Sequence, residues 1–129
     1  MDKITRMPKL ESLSIICCLV TNKIFKMVGK NCSNLQEFKI QRRNVIATKK
    51  YKFNGDALRD LSEFVFLNLN TLSLNNFDFL PNDFEYFNYF SMPKLKYLNL
   101  FGCNLNEEAL EIFEQTEFYK NLKNLKVYV

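Results

Sequence analysis

The residue types that perform acid–base or nucleophilic catalysis are sparse in this sequence. It contains no histidine in 129 residues, so it cannot form the Ser–His or Cys–His pairs that activate a nucleophile. Glu107 and Glu108 are adjacent on a predicted helix and therefore point in different directions, which suits charges at a helix amino terminus better than an acid–base pair. Asp56 and Asp60 can share a helix face, but Arg59 between them indicates a solvated surface. We expect no enzymatic activity, no catalytic residue and no cofactor.

Four cysteines are the other candidates for chemistry: Cys17, Cys18, Cys32 and Cys103. None forms a C-x-x-C pair, and without histidine a zinc site would need all four thiols in one place. Cys18 and Cys103 occupy equivalent positions of a repeated pattern, three units apart, which rules out that grouping. We therefore expect no metal site and interpret both thiols as small buried side chains.

The amino-terminal residues contain no apolar run that could form the core of a signal peptide. The longest apolar stretch, residues 15–20, is far too short to cross a bilayer. We expect reduced thiols, a cytoplasmic or nuclear location and no membrane association.

A basic tract at residues 42–52 is the strongest charge feature of a chain whose net charge is +4. It contains five basic residues and no acidic one: Arg42, Arg43, Lys49, Lys50 and Lys52. One interpretation is a loop that grips phosphates or an acidic partner, and the other is a solvated, dispensable insertion. A pI of about 8.9 falls short of a nucleic-acid signature. Nucleic-acid binding through this tract is therefore an alternative function and not the main one.

The positions of all these residues depend on a sequence repeat. MPKL occurs at 7–10 and at 92–95, and each copy opens an L-x-x-L-x-L-x-x-C-x-L frame. The two frames are Leu10, Leu13, Ile15, Cys18, Val20 and Leu95, Leu98, Leu100, Cys103, Leu105. Weaker copies begin at Leu35, Leu69 and Leu122, and the chain end cuts off the last. The starts are 25, 34, 26 and 27 residues apart, and three of these intervals lie within the roughly 20–29 residues of leucine-rich repeats.

Strands and helices alternate in this pattern. The L-x-L segments alternate apolar and polar residues, as in a strand that buries one face. The segments between copies have helical spacing. Thr21 is predicted to cap a helix over residues 22–30 that turns Ile24, Phe25 and Val28 inward, and Asp56 to cap one over 57–66 that buries Leu58, Leu61 and Phe64. Asn106 is predicted to cap a helix over 107–113, and Pro81 opens a further segment with Phe84, Phe87 and Phe90 at steps of three. The prediction is a single α/β domain over residues 1–129. It is a leucine-rich-repeat solenoid with a curved parallel sheet, helices on the convex side, four full repeats and a truncated fifth.

The frames with cysteine at the ninth position resemble the cysteine-containing leucine-rich repeats of F-box/LRR proteins. Asn-Cys-Ser-Asn-Leu at 31–35 and Gly-Cys-Asn-Leu-Asn-Glu-Glu-Ala-Leu at 102–110 are similar to the joins between that family's repeats. The resemblance implies that the repeats hold a substrate protein for a ubiquitin ligase, with ligase components as further partners. The few residues before the first repeat cannot supply an F-box. Ribonuclease-inhibitor-like repeats are the nearest alternative.

The inner surface of such an arc is the predicted partner-binding site. It consists of the residues that flank the buried positions: Ser12, Ser14, Ile16, Glu37, Lys39, Gln41, Thr71, Ser73, Asn75, Tyr97, Asn99, Phe101, Asn124, Lys126 and Tyr128. Tyr97, Phe101 and Tyr128 place large rings where water is expected, which is typical of a protein interface; alternatively, the rings cover one another. We predict a protein–protein interaction module of the substrate-recognition type. The remaining alternative is a piece of a longer repeat array with no separate function. We also expect the edge of the last strand to be covered by further repeats, a partner or a second copy.

Overall fold

A computed structural model describes residues 7–17, 23–42 and 54–129 of the chain. The described residues form five strands: β1 (Ser12–Cys17), β2 (Glu37–Arg42), β3 (Thr71–Asn75), β4 (Tyr97–Asn99) and β5 (Lys126–Tyr128). They also form five helices: α1 (Lys23–Asn31), α2 (Asp56–Ser62), a 3₁₀ helix (Pro81–Tyr89), α3 (Glu107–Glu114) and α4 (Glu117–Asn121). Strand and helix alternate along the chain, except that two helices separate β4 from β5.

The strands form one sheet in which every pairing is parallel and the spatial order is the order in the chain. One row of partners crosses all five strands: Ser12, Glu37, Thr71, Tyr97 and Lys126. Parallel neighbours need a crossover connection between them, and the helices lie in these connections. The predicted α/β class and parallel sheet are confirmed.

The helices cover one face of the sheet and enclose an aromatic core. The rings of Phe38 in β2 and Phe25 in α1 meet edge to face, with centroids 6.0 Å apart. The Phe87 ring of the 3₁₀ helix lies 4.9 Å from that of Phe113 in α3 and 5.4 Å from that of Phe118 in α4. All five side chains are buried. Removing such large apolar surfaces from water is the main favourable term in folding, and edge-to-face contact adds to it.

Helix α1 has the inward face that the sequence predicted, and helix α3 has the predicted cap. The buried residues of α1 include the three predicted ones: Ile24, Phe25 and Val28. Its predicted cap, Thr21, lies outside the described residues. At α3, the Asn106 Oδ1 accepts a hydrogen bond from the Ala109 N–H at 2.8 Å, which confirms the predicted cap.

The predicted limits of α2 are wrong at both ends. Asp56 is the first residue of the helix and not its cap; the Asn54 Oδ1 accepts a hydrogen bond from the Asp56 N–H at 3.0 Å. The helix ends at Ser62 and not at residue 66. The reason is tertiary: the Phe66 N–H donates to the Ser91 carbonyl at 2.9 Å, in a short parallel bridge that a continuing helix could not make.

The segment that Pro81 opens is a 3₁₀ helix of nine residues, although runs beyond three or four residues are uncommon. Its phenylalanines recur at steps of three, which is the period of a 3₁₀ helix. Phe84 and Phe87 are buried and Phe90 is half-buried. The rings of Phe84 and Phe87 stack at 6.0 Å with an angle of 15°, because side chains at i and i+3 eclipse in this geometry.

The predicted alignment of the fifth copy is wrong by two residues. Val127, not Leu125, is the partner of Leu98. The Leu125 N–H donates to the Leu122 carbonyl at 3.2 Å, just as the Leu95 N–H donates to the carbonyl of Met92. Leu125 therefore belongs to the turn before β5. The shift arises because helix α4, which the sequence pattern did not predict, lengthens this connection.

Among the helices that the structure describes, none combines the length and the apolarity that spanning a membrane requires.

Candidate functional site

The sheet has a second face, turned away from the helices, which we call the open face. Its side chains alternate with the core-facing ones along each strand, so that Glu37 and Lys39 are exposed on either side of the buried Phe38. Fourteen residues of the predicted partner-binding surface lie on the strands or directly after β4: Ser12, Ser14, Ile16, Glu37, Lys39, Gln41, Thr71, Ser73, Asn75, Tyr97, Asn99, Phe101, Lys126 and Tyr128. Asn124 lies in the turn before β5 and is exposed, and its place on the partner-binding surface stays a prediction.

Small polar side chains of β1 and β3 make up part of the open face, beside the exposed Ile16 of β1. The Ser12 Oγ donates to the Glu37 Oε2 across the β1–β2 pair at 3.3 Å. In β3 the Ser73 hydroxyl donates to the Asn75 Oδ1 at 3.2 Å, and Ser73 is only 6% exposed. The Thr71 hydroxyl donates to its neighbour Asn70. The polar side chains in the middle of the open face are therefore short and hydrogen-bonded to neighbouring residues of the protein.

Large rings stand at the carboxyl-terminal end of the same face. Tyr97 is 38% exposed, Tyr128 52% and Phe101 63%. The Lys126 Nζ lies 5.9 Å from the centre of the Tyr97 ring, a cation–π distance. The ring contacts of the described residues include no pair among these three rings, so the alternative that they cover one another is not supported.

The backbone that carries Phe101 is held on both sides. The Phe101 N–H donates to the Asn99 Oδ1 at 3.0 Å, and its carbonyl accepts from the Asn76 N–H at 2.9 Å. Gly102 follows with a φ of +76°, and a Cβ there would overlap the Asn76 side-chain oxygen. The Asn76 amide in turn donates to the Arg42 carbonyl at 2.9 Å. An exposed ring on a fixed backbone loses little freedom when a partner covers it.

A groove of about 550 Å³ lies at the edge of the sheet where the strands begin. It is lined by polar and charged residues from three successive turns: Gln36, Glu37, Asn68, Asn70, Lys94 and Lys96. The Lys94 ammonium donates to the Asn68 Oδ1 at 3.3 Å. The groove adjoins the open face through Glu37 and through Lys96, which precedes Tyr97. The sequence pattern did not indicate it, because its residues lie outside the L-x-L segments.

The described cysteines lie in the core. Cys103 is 1% exposed, and its thiol donates to the Leu74 carbonyl at 2.8 Å. Burial raises the pKa of Cys103 to about 11, which leaves little thiolate for nucleophilic or metal chemistry at neutral pH. Cys32 is also buried, and burial raises its pKa. Cys18 lies outside the described residues, as does the side chain of Cys17.

Asp60 is not on the solvated surface that the sequence predicted. It is 3% exposed, and its Oδ1 lies 3.5 Å from the Arg59 Nε and 3.8 Å from the Lys26 Nζ without a well-directed hydrogen bond. Burial raises the pKa of Asp60, while the charges of Lys26 and Arg59 oppose that rise. Asp56 is exposed and pairs with Arg59 at 3.3 Å. The Asp60 carboxylate thus connects α2 to α1, since Lys26 belongs to that helix.

The basic tract is described only at its first residue. Arg42 ends β2, and its Nη1 lies 3.5 Å from the Asp78 Oδ2. The other basic residues of the tract, Arg43, Lys49, Lys50 and Lys52, lie outside the described residues. The described part of the tract therefore contains a paired cation and no phosphate-binding arrangement.

Within residues 7–17, 23–42 and 54–129, no group of three or more His, Cys, Asp or Glu side chains could hold a metal ion. No family model matches the sequence, and no curated protein matches it.

Proposed function

We propose that this chain is a leucine-rich-repeat solenoid that binds another protein on its open face, in the manner of the substrate-recognition repeats of F-box/LRR ubiquitin ligases. The observation that carries the proposal is the group of exposed rings, Tyr97, Phe101 and Tyr128, at one end of the open face of the sheet. Clustered exposed aromatics on one face are typical anchors of protein interfaces.

The turns that lead into the strands support the repeat. Two residues before β1, β2 and β4 a leucine N–H donates to the carbonyl three residues earlier, at 3.0–3.3 Å; the three leucines are Leu10, Leu35 and Leu95. The carbonyl of the residue directly before β1, β2 and β3, in Glu11, Gln36 and Asn70, accepts two N–H groups, one from the first residue of the next strand along the chain and one from the residue before it. Equivalent positions that make equivalent bonds are what a repeating structural unit requires.

The open face is the inner side of the proposed arc for a geometric reason. Neighbouring strands lie about 4.8 Å apart, whereas packed helices need about 8–10 Å. With one helix per strand, the layer of helices is therefore longer than the sheet that it covers. The sheet accordingly bends so that its open face lies on the inside of the curve. A partner bound in this concavity would contact the polar side chains in its middle and the aromatic rings at one end.

The proposal is tested by photo-crosslinking in cells. Benzoylphenylalanine replaces Phe101 or Tyr128 on the open face, and Tyr89 or Leu80, each 70% exposed, as matched controls on the helix side. We expect protein adducts from the open-face positions and none of the same mass from the controls. Ubiquitin-ligase components or ligase substrates among the adducts would support the finer proposal. Adducts from the helix side alone would contradict the proposed site.

A further inference from the structure

Charge is segregated between the strands and their connections in the carboxyl-terminal half of the molecule. Within residues 54–129, the strands and their lead-in turns (68–75, 92–101 and 122–129) contain four basic residues and no acidic one: Lys94, Lys96, Lys123 and Lys126. The connecting segments (54–67, 76–91 and 102–121) contain eleven acidic residues and two basic ones. Acidic residues at helix amino termini, such as Glu107 and Glu108, account for part of this division. The strands and their lead-in turns nevertheless contribute only positive charge.

The four lysines are exposed, and none forms an ion pair with a described residue. Lys94 and Lys96 line the groove at the start of the strands. Lys126 lies over the Tyr97 ring. Positive charge thus adjoins the exposed ring of Tyr97 at the start of β4, on the side of the groove.

We infer that the segment bound on the open face is an acidic stretch of protein that carries an apolar side chain beside its carboxylates. This inference rests on the proposed function and names the chemistry of its partner. The carboxylates would face Lys94, Lys96 and Lys126, and the apolar side chain would cover the rings of Tyr97, Phe101 and Tyr128. Complementary charge raises the association rate and excludes partners of the wrong sign.

A protein segment fits this surface better than a nucleic acid. Glu37 lines the same groove, and a phosphate backbone, with its closely and regularly spaced charges, would meet that carboxylate. The carboxylates of a peptide are spaced by its sequence and can avoid it. Asn68 and Asn70, which also line the groove, can donate to the peptide backbone or accept from it.

The test selects ligands from a random peptide library displayed on phage, with the full chain immobilised at low salt. The selected peptides are synthesised, their affinities are measured by fluorescence anisotropy, and their contacts are mapped by NMR shifts of the ¹⁵N-labelled chain. The test variant is Lys94→Glu/Lys96→Glu/Lys126→Glu. Lys23→Glu/Lys30→Glu/Lys120→Glu, on exposed helix positions, is a control with the same change of net charge. Circular dichroism verifies that both fold.

We expect peptides rich in Asp and Glu beside Phe or Leu, with shifts at Tyr97, Asn99 and Tyr128. The test variant should weaken their binding by about tenfold or more, and the control variant should not. Neutral or basic peptides on the open face, or equal effects of the two variants, would overturn the inference and leave the proposed function standing. Tighter binding of an oligothymidylate, or light scattering that reveals self-association through this surface, would likewise overturn it. Peptides that map to the helix side, or no selected peptide at all, would count against the proposed function itself.

Discussion

The phenylalanine cluster between the helices and the sheet has an environment opposite to that of the rings on the open face. On the helix side, Phe87 and Phe113 are fully buried and their rings meet at 4.9 Å. On the open face, Tyr97, Phe101 and Tyr128 have at least a third of their surface in water. The buried rings stabilise the fold through the apolar area they remove from solvent, whereas the exposed rings do so only weakly. Substitutions on the two sides should therefore separate folding from recognition.

The largest effect is expected at the centre of the buried cluster. Phe87→Ala should lower the free energy of unfolding by about 3–5 kcal/mol, because it removes a ring that contacts Phe84, Phe90, Phe113 and Phe118. Urea denaturation followed by circular dichroism measures the change. Tyr89→Ala, on the same 3₁₀ helix but 70% exposed, should change it by less than about 0.5 kcal/mol. Similar losses for the two variants would mean that the helix side is not packed as described.

A smaller loss is expected where the sheet turns into the connection after β4. Cys103→Ser should lower the free energy of unfolding by about 1–3 kcal/mol, because a more polar group is buried beside the Leu74 carbonyl. The measurement is thermal or urea unfolding of both Cys103→Ser and Cys103→Ala. If serine proved as stable as cysteine, the explanation by burial of a polar group would be wrong.

Gly102 tests the link between the fold and the open face, because it follows Phe101. Gly102→Ala should cost about 1–2 kcal/mol, since its φ of +76° is unfavourable for a residue with a Cβ. The same variant should weaken peptide binding, because the Asn76 side chain must move. Asn104→Gly, at a φ of 56°, is the matched control and should be neutral or slightly stabilising. Unchanged stability and binding in Gly102→Ala would show that Phe101 is not held by this turn.

The buried carboxyl group of Asp60 predicts a pH dependence of stability. Burial raises its pKa above the ordinary value of 3.8, so between that value and the raised pKa the folded chain binds more protons than the unfolded chain. Stability from this group is complete below the ordinary value and is lost as the pH rises through the raised pKa. Relative to Asp60→Asn, the wild-type free energy of unfolding should fall over this window. Asp56→Asn, at an exposed position of the same helix, is the control; wild-type and Asp60→Asn curves that run parallel would contradict the prediction.

The smallest effect on stability is expected on the open face. Phe101→Ala should change the free energy of unfolding by less than about 0.5 kcal/mol, because its ring is mostly in water. Its loss of binding to the selected peptides should be much larger. Both effects are checked by measuring the urea midpoint and the peptide affinity of each variant in one series. A stability loss as large as that of Phe87→Ala would abolish the distinction between the two sides.

The repeated strand and helix patterns were sufficient to predict the α/β class, the parallel strands and the inward face of α1. It was insufficient where a tertiary contact overrides the local pattern. The helical pattern continues to residue 66, but the Phe66 N–H is used by the Ser91 carbonyl and α2 ends earlier. The place of Leu125 depended on α4, a helix of five residues with little periodicity of its own.

The candidate site was predicted in outline. The rule that residues beside buried leucines face the opposite way placed Tyr97, Phe101 and Tyr128 on one face. The groove was missed, because Lys94 and Asn68 come together through neighbouring turns and not through a strand pattern. The burial of Asp60 was missed for a similar reason: its partner Lys26 belongs to a different helix, more than thirty residues earlier in the chain.

The sequential order of the strands has a consequence for the way in which the molecule comes apart. Among the described strands, β1 and β5 each have one partner, whereas β2, β3 and β4 each have two. Detachment of an outer strand breaks one strand pairing and leaves the other pairings intact. Unfolding can therefore proceed strand by strand from either end of the sheet. Amide protons in β3 should then exchange with solvent last, and a partly opened molecule would retain a shorter but still ordered sheet.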